Sequence, residues 1–503
     1  MPIPGFDSTQ SFQTFIGAFK KTLNSVFHER DHIEQFIQRR GFPALVLREI
    51  MSANPLSVAI PARFGGRGAN VKECLGLLEA ASYESLPLSL TFGINLALFI
   101  EPVAKYAREE VKQEVFDRFL TRQHMGGLMI TEPDFGSDAL NMQTVSVKSE
   151  TNYHISGVKH WQGLTGMADY WLITARNKPD TGDLGRDLGF FICDVTKPEQ
   201  HIHVEEYYNN IGLYPIPYGK NIIDVTIPEQ FKLKPETTGL KLMMDLLHRS
   251  RFQFPGMGVG FIRRMLDEAT NHCKSRFVGG KSLWSLDQIQ YAISKIQSAF
   301  TISSAMCLRS AAVSGIEHNV AGAAIEANSF KAYITDLMQE AAQIVTQLSG
   351  ANGYKAESVA SRGIIDSRPF QIFEGSNEML YTQISEMILK KMAKRKINNL
   401  TEFLKGYELT RLVADRFKSL LNFSPDIRLS QRRLVDLGKI ISRVISANLV
   451  EELGHKGYRS DMINSCLETI RHEVSTLVSS YQSHTLVAPA DNYEESCDWM
   501  AFC

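Results

Sequence analysis

The sequence predicts an α+β fold: a helical domain, a small β-barrel or sandwich domain, a helical bundle domain, and additional C-terminal helices. Three observations predict it. Apolar residues recur at helical spacing before residue 126, at a period of two between 127 and 235, and at helical spacing again in long Gly- and Pro-poor stretches beyond 236. At 503 residues the chain exceeds what one hydrophobic core usually supports, so several folding units are expected. The expected division is 1–126, 127–235, 236–395 and an extension over 396–503, helical to about 483 and ending in a loose tail from His484.

In the first segment Phe12, Phe15, Ile16 and Phe19 fall on one helical face, as do Ile33, Phe36 and Ile37. The stretch Pro61-Ala-Arg-Phe-Gly-Gly-Arg-Gly68 breaks the pattern as a loop. The longest apolar run, Leu86 to Ile100, is interrupted by Pro87, Ser89, Thr91, Gly93 and Asn95. It falls short of the roughly 20 residues a bilayer requires, so it reads as a buried helix. In the second segment Thr144-Val-Ser-Val-Lys148, Tyr153-His-Ile-Ser156, Tyr170-Trp-Leu-Ile-Thr174, Gly189-Phe-Phe-Ile-Cys193, His201-Ile-His-Val204 and Asn221 to Ile227 are short β runs, separated by turn clusters such as Lys178-Pro-Asp-Thr-Gly182. No β-α-β alternation supports a Rossmann domain. In the third, Ile289 to Ala312 and Ala323 to Leu348 read as long helices. Gly256-Met-Gly-Val-Gly260 has no strand before it, so it reads as close helix packing and not as a nucleotide loop. In the extension Leu434, Leu437, Ile441 and Val444 form an apolar stripe, with Arg432, Arg433 and Lys439 off it. That is a helix packed on the main body or across a dimer.

Composition narrows the function. Fifty-four basic against 55 acidic residues give a net charge of −1, which offers no general attraction to nucleic acid or to an anionic membrane. The seven cysteines include no C-x-x-C pair and read as reduced thiols in a reducing compartment. The first residues fit neither a secretory signal nor an Arg-rich transit peptide, so a cytoplasmic location is expected. His28-Glu-Arg-Asp-His32 matches the pattern H-E-x-x-H, but the stretch is very polar and no third ligand follows; no metal site is expected. The basic run Lys390 to Lys396 reads as a solvated helix C-terminus complementing the dipole.

Three separated stretches carry the chemistry. They are Met129-Ile-Thr-Glu-Pro-Asp-Phe-Gly-Ser-Asp138, Gln347-Leu-Ser-Gly-Ala-Asn-Gly353 and Phe370-Gln-Ile-Phe-Glu-Gly-Ser-Asn-Glu378. In order and spacing they resemble the T-E-P-x-x-G-S-D, Q-x-x-G-G-N-G and Y-Q-I-Y-E-G-T-N-E elements of the acyl-CoA dehydrogenase family. The resemblance runs from about residue 20 to 395 and implies FAD, a homodimer or homotetramer, an acyl-CoA or acyl-carrier-protein thioester, and an electron acceptor such as an electron-transfer flavoprotein.

Residue by residue, the resemblance puts Ile130, Thr131 and Ser137 against the flavin ring, with Ser137 also meeting the substrate. A turn rich in Gly, Ser and Thr offers backbone N–H groups and hydroxyls for that purpose. Lys159-His-Trp161 is similar to the family's K-x-W strand and puts Trp161 beside the flavin. Where the family has W-I-T or W-V-T this chain has Trp161-Gln-Gly163, so Gly163 offers backbone only. Arg276 matches an arginine that meets the FAD pyrophosphate of a neighbouring subunit, a role suited to a guanidinium. Gln288, Gln347 and Gly350 match further FAD contacts, as do Ser376 and Glu378. Arg251 and Gly375 would border the substrate. Ile365-Asp366 replaces a usual Arg-Asp, which removes an ion pair.

Glu374 is implied as the catalytic base. The α-hydrogen of an acyl thioester is a very weak acid, so its removal needs a positioned base, charge stabilisation on the carbonyl oxygen and a hydride acceptor for the β-carbon. The apolar neighbours of Glu374 raise a carboxylate's pKa, and Gly375 lets backbone approach closely. In some family members the base comes from the segment matching Leu247-His-Arg-Ser-Arg251, which holds no carboxylate here. The expected reaction is oxidation of an acyl thioester to the trans-2-enoyl thioester, with FAD N5 taking the β-hydride. Alternatives are an oxygen-using acyl-CoA oxidase or flavin monooxygenase, for which Gly163 would open the N5 region, and a weakly catalytic interaction protein. Acyl chain length would be set by residues near Ser82 to Leu98.

Overall fold

The computed structural model describes residues 7–30, 40–178, 183–426, 429–483 and 488–503. Helix α1 (Phe12–His28) begins where Ser11 accepts the Thr14 amide, and it buries Phe15, Phe19, Leu23 and Val26. The stripe of Ile33, Phe36 and Ile37, residue His32, and most of the turn 178–182 lie outside the described residues. His28 itself pairs with Glu84 at 2.7 Å. After α2 (Ala44–Ser52) the 61–68 loop contains one short 3-10 turn and leads into α3 (Val71–Glu84) and α4 (Leu86–Asn95). The last passes through a π-helical turn, Leu96–Ile100, into α5 (Glu101–Tyr106), and α6 (Glu109–Arg122) closes the segment. Leu86–Tyr106 is apolar and long enough to cross a bilayer, and 94% of its apolar window is buried inside the fold.

Seven strands follow: β1 (Gly126–Met129), β2 (Val145–Ser149), β3 (Asn152–His160), β4 (Tyr170–Asn177), β5 (Leu188–Asp194), β6 (His203–Tyr207) and β7 (Gly219–Pro228). On one edge β4 pairs with β5; its other edge is shared by β1 and β2, and β3, β7 and β6 continue outward. The two pairings onto that shared edge are parallel, and the rest are antiparallel. Alternation locates β2, β3 and β7, and short apolar runs locate β4 and β5, which are buried on both faces; β6 starts two residues later than expected, and β3 and β7 run several residues longer than their apolar cores. Four-residue β1 is too short to show a period.

Helix α7 (Gly239–Ser275) spans the protein, followed by a two-strand hairpin, β8 (Phe277–Val278) and β9 (Lys281–Ser282), and then α8 (Asp287–Val313), α9 (Ala324–Ser349), α10 (Val359–Ser367) and α11 (Asn377–Arg395). The glycines of α7 are contact points. A Cβ on Gly256 would lie 3.0 Å from the Leu75 carbonyl, and one on Gly260 2.1 Å from that of Glu79, so α3 packs directly on the α7 backbone. On the other side Gly258 meets Ile334 of α9.

The extension holds α12 (Leu400–Lys405), α13 (Lys418–Leu421), α14 (Gln431–His455) and α15 (Ser460–Gln482). It is less helical than expected: 407–417 forms successive turns, and Pro425 follows close behind. Leu434, Leu437, Ile441 and Val444 are buried, and α14 lies across α11, where a Cβ on Gly438 would sit 2.0 Å from the Tyr381 carbonyl. Every described residue of the tail 488–503 is exposed.

Candidate active site

The loop between α10 and α11 reverses through two left-handed residues, Glu374 (φ 54°) and Gly375 (φ 90°). For glutamate this backbone costs about 1–2 kcal/mol and persists only where its surroundings impose it. Two buried cations do so. Arg251 donates from Nη2 to the Glu374 carbonyl at 2.7 Å, while its Nη1 reaches Asn328 Oδ1 at 2.6 Å. Lys331 donates to the Gly375 carbonyl at 2.8 Å and to Asn377 Oδ1 at 3.0 Å. An aromatic wall of Phe254, Phe370 and Phe373, with ring centroids 5.0–6.2 Å apart, backs the loop.

The Glu374 carboxylate accepts from Ser250 Oγ at 2.8 Å through Oε1, and its Oε2 is buried without a hydrogen-bond partner among the described residues. Burial pushes its pKa above the ordinary carboxylate value, against the pull of Arg251, the Ser250 hydroxyl and Lys331. Burial likewise lowers Lys331 to about 7 and pulls Arg251 down. A carboxylate that resists ionisation, with one buried oxygen free, is suited to accept a proton from carbon.

The β domain presents its own half. Buried Lys159 donates to Glu132 at 2.8 Å, to the Ile130 carbonyl at 3.0 Å and to Thr174 Oγ1 at 3.0 Å, fixing the 130–138 loop. The Thr131 carbonyl accepts from the His160 amide and from Gln162 Nε2, both at 3.0 Å. Ile130 and Thr131 are half-buried and Ser137 is exposed. Trp161, at φ 60°, is 52% exposed and packs on Tyr208 with centroids 4.4 Å apart. Gly163 leaves no opening: a Cβ there would lie 2.8 Å from Ile94 Cδ1 and 3.4 Å from Tyr218 Cε1.

Helix α4 links the halves. Ile94 touches Gly163, and next to it Gly93 faces Met257 of α7, one turn beyond Phe254. The 208–218 loop also crosses to α10, where Asp366 Oδ1 accepts the Leu213 amide at 2.5 Å. That bond gives Asp366 the partner that Ile365, having no charge, does not supply. Burial pushes Asp366 up to about 6, and the Leu213 amide and then Arg362, one turn earlier, offset part of it.

The remaining predicted residues lie elsewhere. Arg276, Gln288, Gln347 and Gly350 are exposed and share one end of the bundle, since α7, α8 and α9 run up, down and up. Gln347 is sixteen residues along α9 from Lys331, roughly 24 Å. Ser376 and Glu378, also exposed, open α11. Arg251 is buried beneath the loop, bonded to the backbone of Glu374. Sequence reading passed over Ser250, Lys331, Asn377, Gln162 and the Lys159–Glu132 pair. A lysine on an inward strand position, two residues before Trp161, was the one available signal for the last.

The acyl-CoA dehydrogenase N-terminal, middle and C-terminal domain families match residues 17–123, 127–224 and 237–389. An acyl-CoA dehydrogenase of Bacillus subtilis is 24% identical over 349 residues, 69% of this chain and 90% of that one. The caffeyl-CoA reductase-Etf complex subunit CarC of Acetobacterium woodii is 25% identical over 359 residues, 70% of this chain and 91% of that one. The structure of a Bacillus anthracis acyl-CoA dehydrogenase complexed with FAD aligns with a TM-score of 0.73 at 17% identity, covering 96% of this chain and 88% of that one. The chain belongs to the acyl-CoA dehydrogenase family of FAD-dependent oxidoreductases.

Proposed function

We propose that this flavoprotein dehydrogenates an acyl-CoA across its α,β-carbons, with Glu374 taking the α-proton. The observation that carries the reading is the Glu374 carboxylate, held by Ser250 at one oxygen and left buried and unpartnered at the other. Desolvation keeps its pKa high, so a proton taken from carbon is retained. Arg251 and Lys331 hold the carbonyls of Glu374 and Gly375, which fixes the loop and supplies positive potential without neutralising the base by direct contact.

The residues present fit FAD. The exposed Trp161 indole offers an apolar face, the half-buried Thr131 and exposed Ser137 offer hydroxyls on the loop held by Lys159, and Gly163 admits only a hydrogen. Arg276, Gln288, Gln347 and Gly350 would hold the pyrophosphate end of a flavin bound by a neighbouring copy, which makes a homodimer or a larger homo-oligomer the working assembly. When bound, FAD supplies the acceptor for the β-hydride. The name of the Acetobacterium relative pairs it with an Etf complex, and we infer an electron-transfer flavoprotein as acceptor here too. The oxygen-using alternative stays the second reading; side chains of Ile94, Ile216 and Tyr218 occupy the direction a side chain at Gly163 would take, which favours the dehydrogenase reading.

Anaerobic titration of the purified flavoprotein with acyl-CoAs of graded chain length tests the proposal. Bleaching of the oxidised-flavin band by at least one chain length is expected. A flavin unmoved by every acyl-CoA would overturn it.

A further inference from the structure

A buried polar chain joins the C-terminal extension to the loop that carries Glu374. It begins at Glu473 of α15, whose Oε2 accepts from Tyr333 Oη at 3.0 Å and from Arg443 Nε of α14 at 3.3 Å. Arg443 Nη1 donates to Tyr381 Oη at 3.0 Å, and that hydroxyl donates to Asp336 Oδ2 at 2.7 Å. The other oxygen of Asp336 accepts from Asn377 Nδ2 and from Gln371 Nε2, each at 2.7 Å. Asn377 Oδ1 accepts from Lys331, which holds the Gly375 carbonyl.

Two features distinguish this chain from incidental packing. The charged groups alternate in sign along it: Glu473, Arg443, Asp336, Lys331 and Glu374. Its middle is also dry: Lys331, Tyr333 and Tyr381 are wholly buried and the Arg443 guanidinium stacks 4.0 Å from the Tyr333 ring centroid, while Asp336, Glu374 and Glu473 are half-buried. In such a setting each bond strengthens its neighbour, and an unmatched charge is costly. Removal of Arg443 would leave Asp336 under-compensated at the point where it anchors Asn377 and Gln371, the residues on either side of Glu374.

We propose that Arg443 is a positioning residue, through which the extension fixes the Glu374 loop by way of Tyr381, Asp336, Asn377 and Lys331. Its catalytic consequence rests on Glu374 as the base; the ordering of the loop does not. The chain is contiguous and its members each have a definite partner, which is a physical basis for coupling between two distant segments.

The test uses the full-length, flavin-loaded protein and hydrogen–deuterium exchange in the peptide spanning 371–380. Tyr381→Phe cuts the chain with little change of volume, Arg443→Met removes the charge, and Arg443→Lys returns it. Thr469→Val breaks a different contact of the extension, the 3.0 Å bond to Ser298 on α8. We expect loop exchange to accelerate about tenfold in Tyr381→Phe and Arg443→Met, to recover in part in Arg443→Lys, and to stay native in Thr469→Val. The flavin-bleaching rate constant should fall by a similar factor, with the acyl-CoA dissociation constant unchanged. Native loop protection in Tyr381→Phe overturns the proposal, as does equal loosening by Thr469→Val. Should Arg443→Met not fold, Tyr381→Phe decides alone. An absence of bleaching in the native protein would count against Glu374 as base, while the exchange data would still decide the positioning role.

Discussion

Replacing Ser250 with alanine removes the only hydrogen bond to the Glu374 carboxylate among the described residues. The bond is 2.8 Å long and runs to an acceptor that bears the charge when ionised. Such bonds contribute about 1.5–3 kcal/mol, and the lower figure applies where entering water can replace part of the loss. At about 1.4 kcal/mol per pKa unit, that is a further rise of roughly one unit in a carboxyl already raised by burial. A base must be ionised to act, so the midpoint of the bleaching rate against pH should move up by about one unit. Below the midpoint the variant should be about tenfold slower, and at high pH the two enzymes should converge. Anaerobic stopped-flow absorbance over a pH series, at saturating acyl-CoA, measures this directly. A uniform slowing at every pH with an unmoved midpoint would refute the reasoning, because Ser250 would then orient the carboxylate without tuning its charge.

Three further outcomes are expected. Glu101 is fully buried, accepts from Gln253 at 2.7 Å and leaves Oε2 without a hydrogen bond among the described residues, 4.0 Å from Arg249 Nε; burial outweighs Arg249 and raises its pKa to about 7. The folded protein therefore keeps the proton longer than the unfolded chain, and stability should fall as pH rises from about 4.3 toward 7, by on the order of 3 kcal/mol. Glu101→Gln, whose new amide can donate to the orphaned Gln253 Oε1, should flatten that slope in denaturant melts and exceed the native protein in stability at pH 8. Gly438→Ala puts a methyl against the Tyr381 backbone and should cost about 3 kcal/mol, read as a lowered melting temperature. Arg276→Ala, at an exposed site far from Glu374, should weaken flavin retention about tenfold while moving stability by less than about 0.5 kcal/mol, as equilibrium dialysis and melting would show.

What could be read from the sequence was what repeats locally or survives as a contiguous motif. The strands showed themselves by alternation or by short apolar runs, the α7 glycines by their lack of a strand, and the loop that carries Glu374 by the contiguous motif Phe370 to Glu378. The partners of Glu374 were hidden because they are remote: Ser250 is 124 residues away, and Lys331 lies 44 residues from Gly375. A serine or lysine within a helix carries no local mark of such a contact. A missing side chain at Gly163 gives no hint of the Ile94 and Tyr218 side chains that lie where its Cβ would point. The extension was legible as one apolar stripe on α14, whereas Arg443, one residue before Val444, gave no sign that it reaches Tyr381.

The central claim is that Glu374 removes the α-proton of an acyl thioester. Its most direct test is mass spectrometry of the acyl-CoA after a single anaerobic turnover by the native protein and by Glu374→Gln, each with its flavin in place. The account predicts loss of two hydrogens to the trans-2-enoyl thioester with the native protein and unchanged acyl-CoA with the variant. Formation of the enoyl product by Glu374→Gln at the native rate would contradict it.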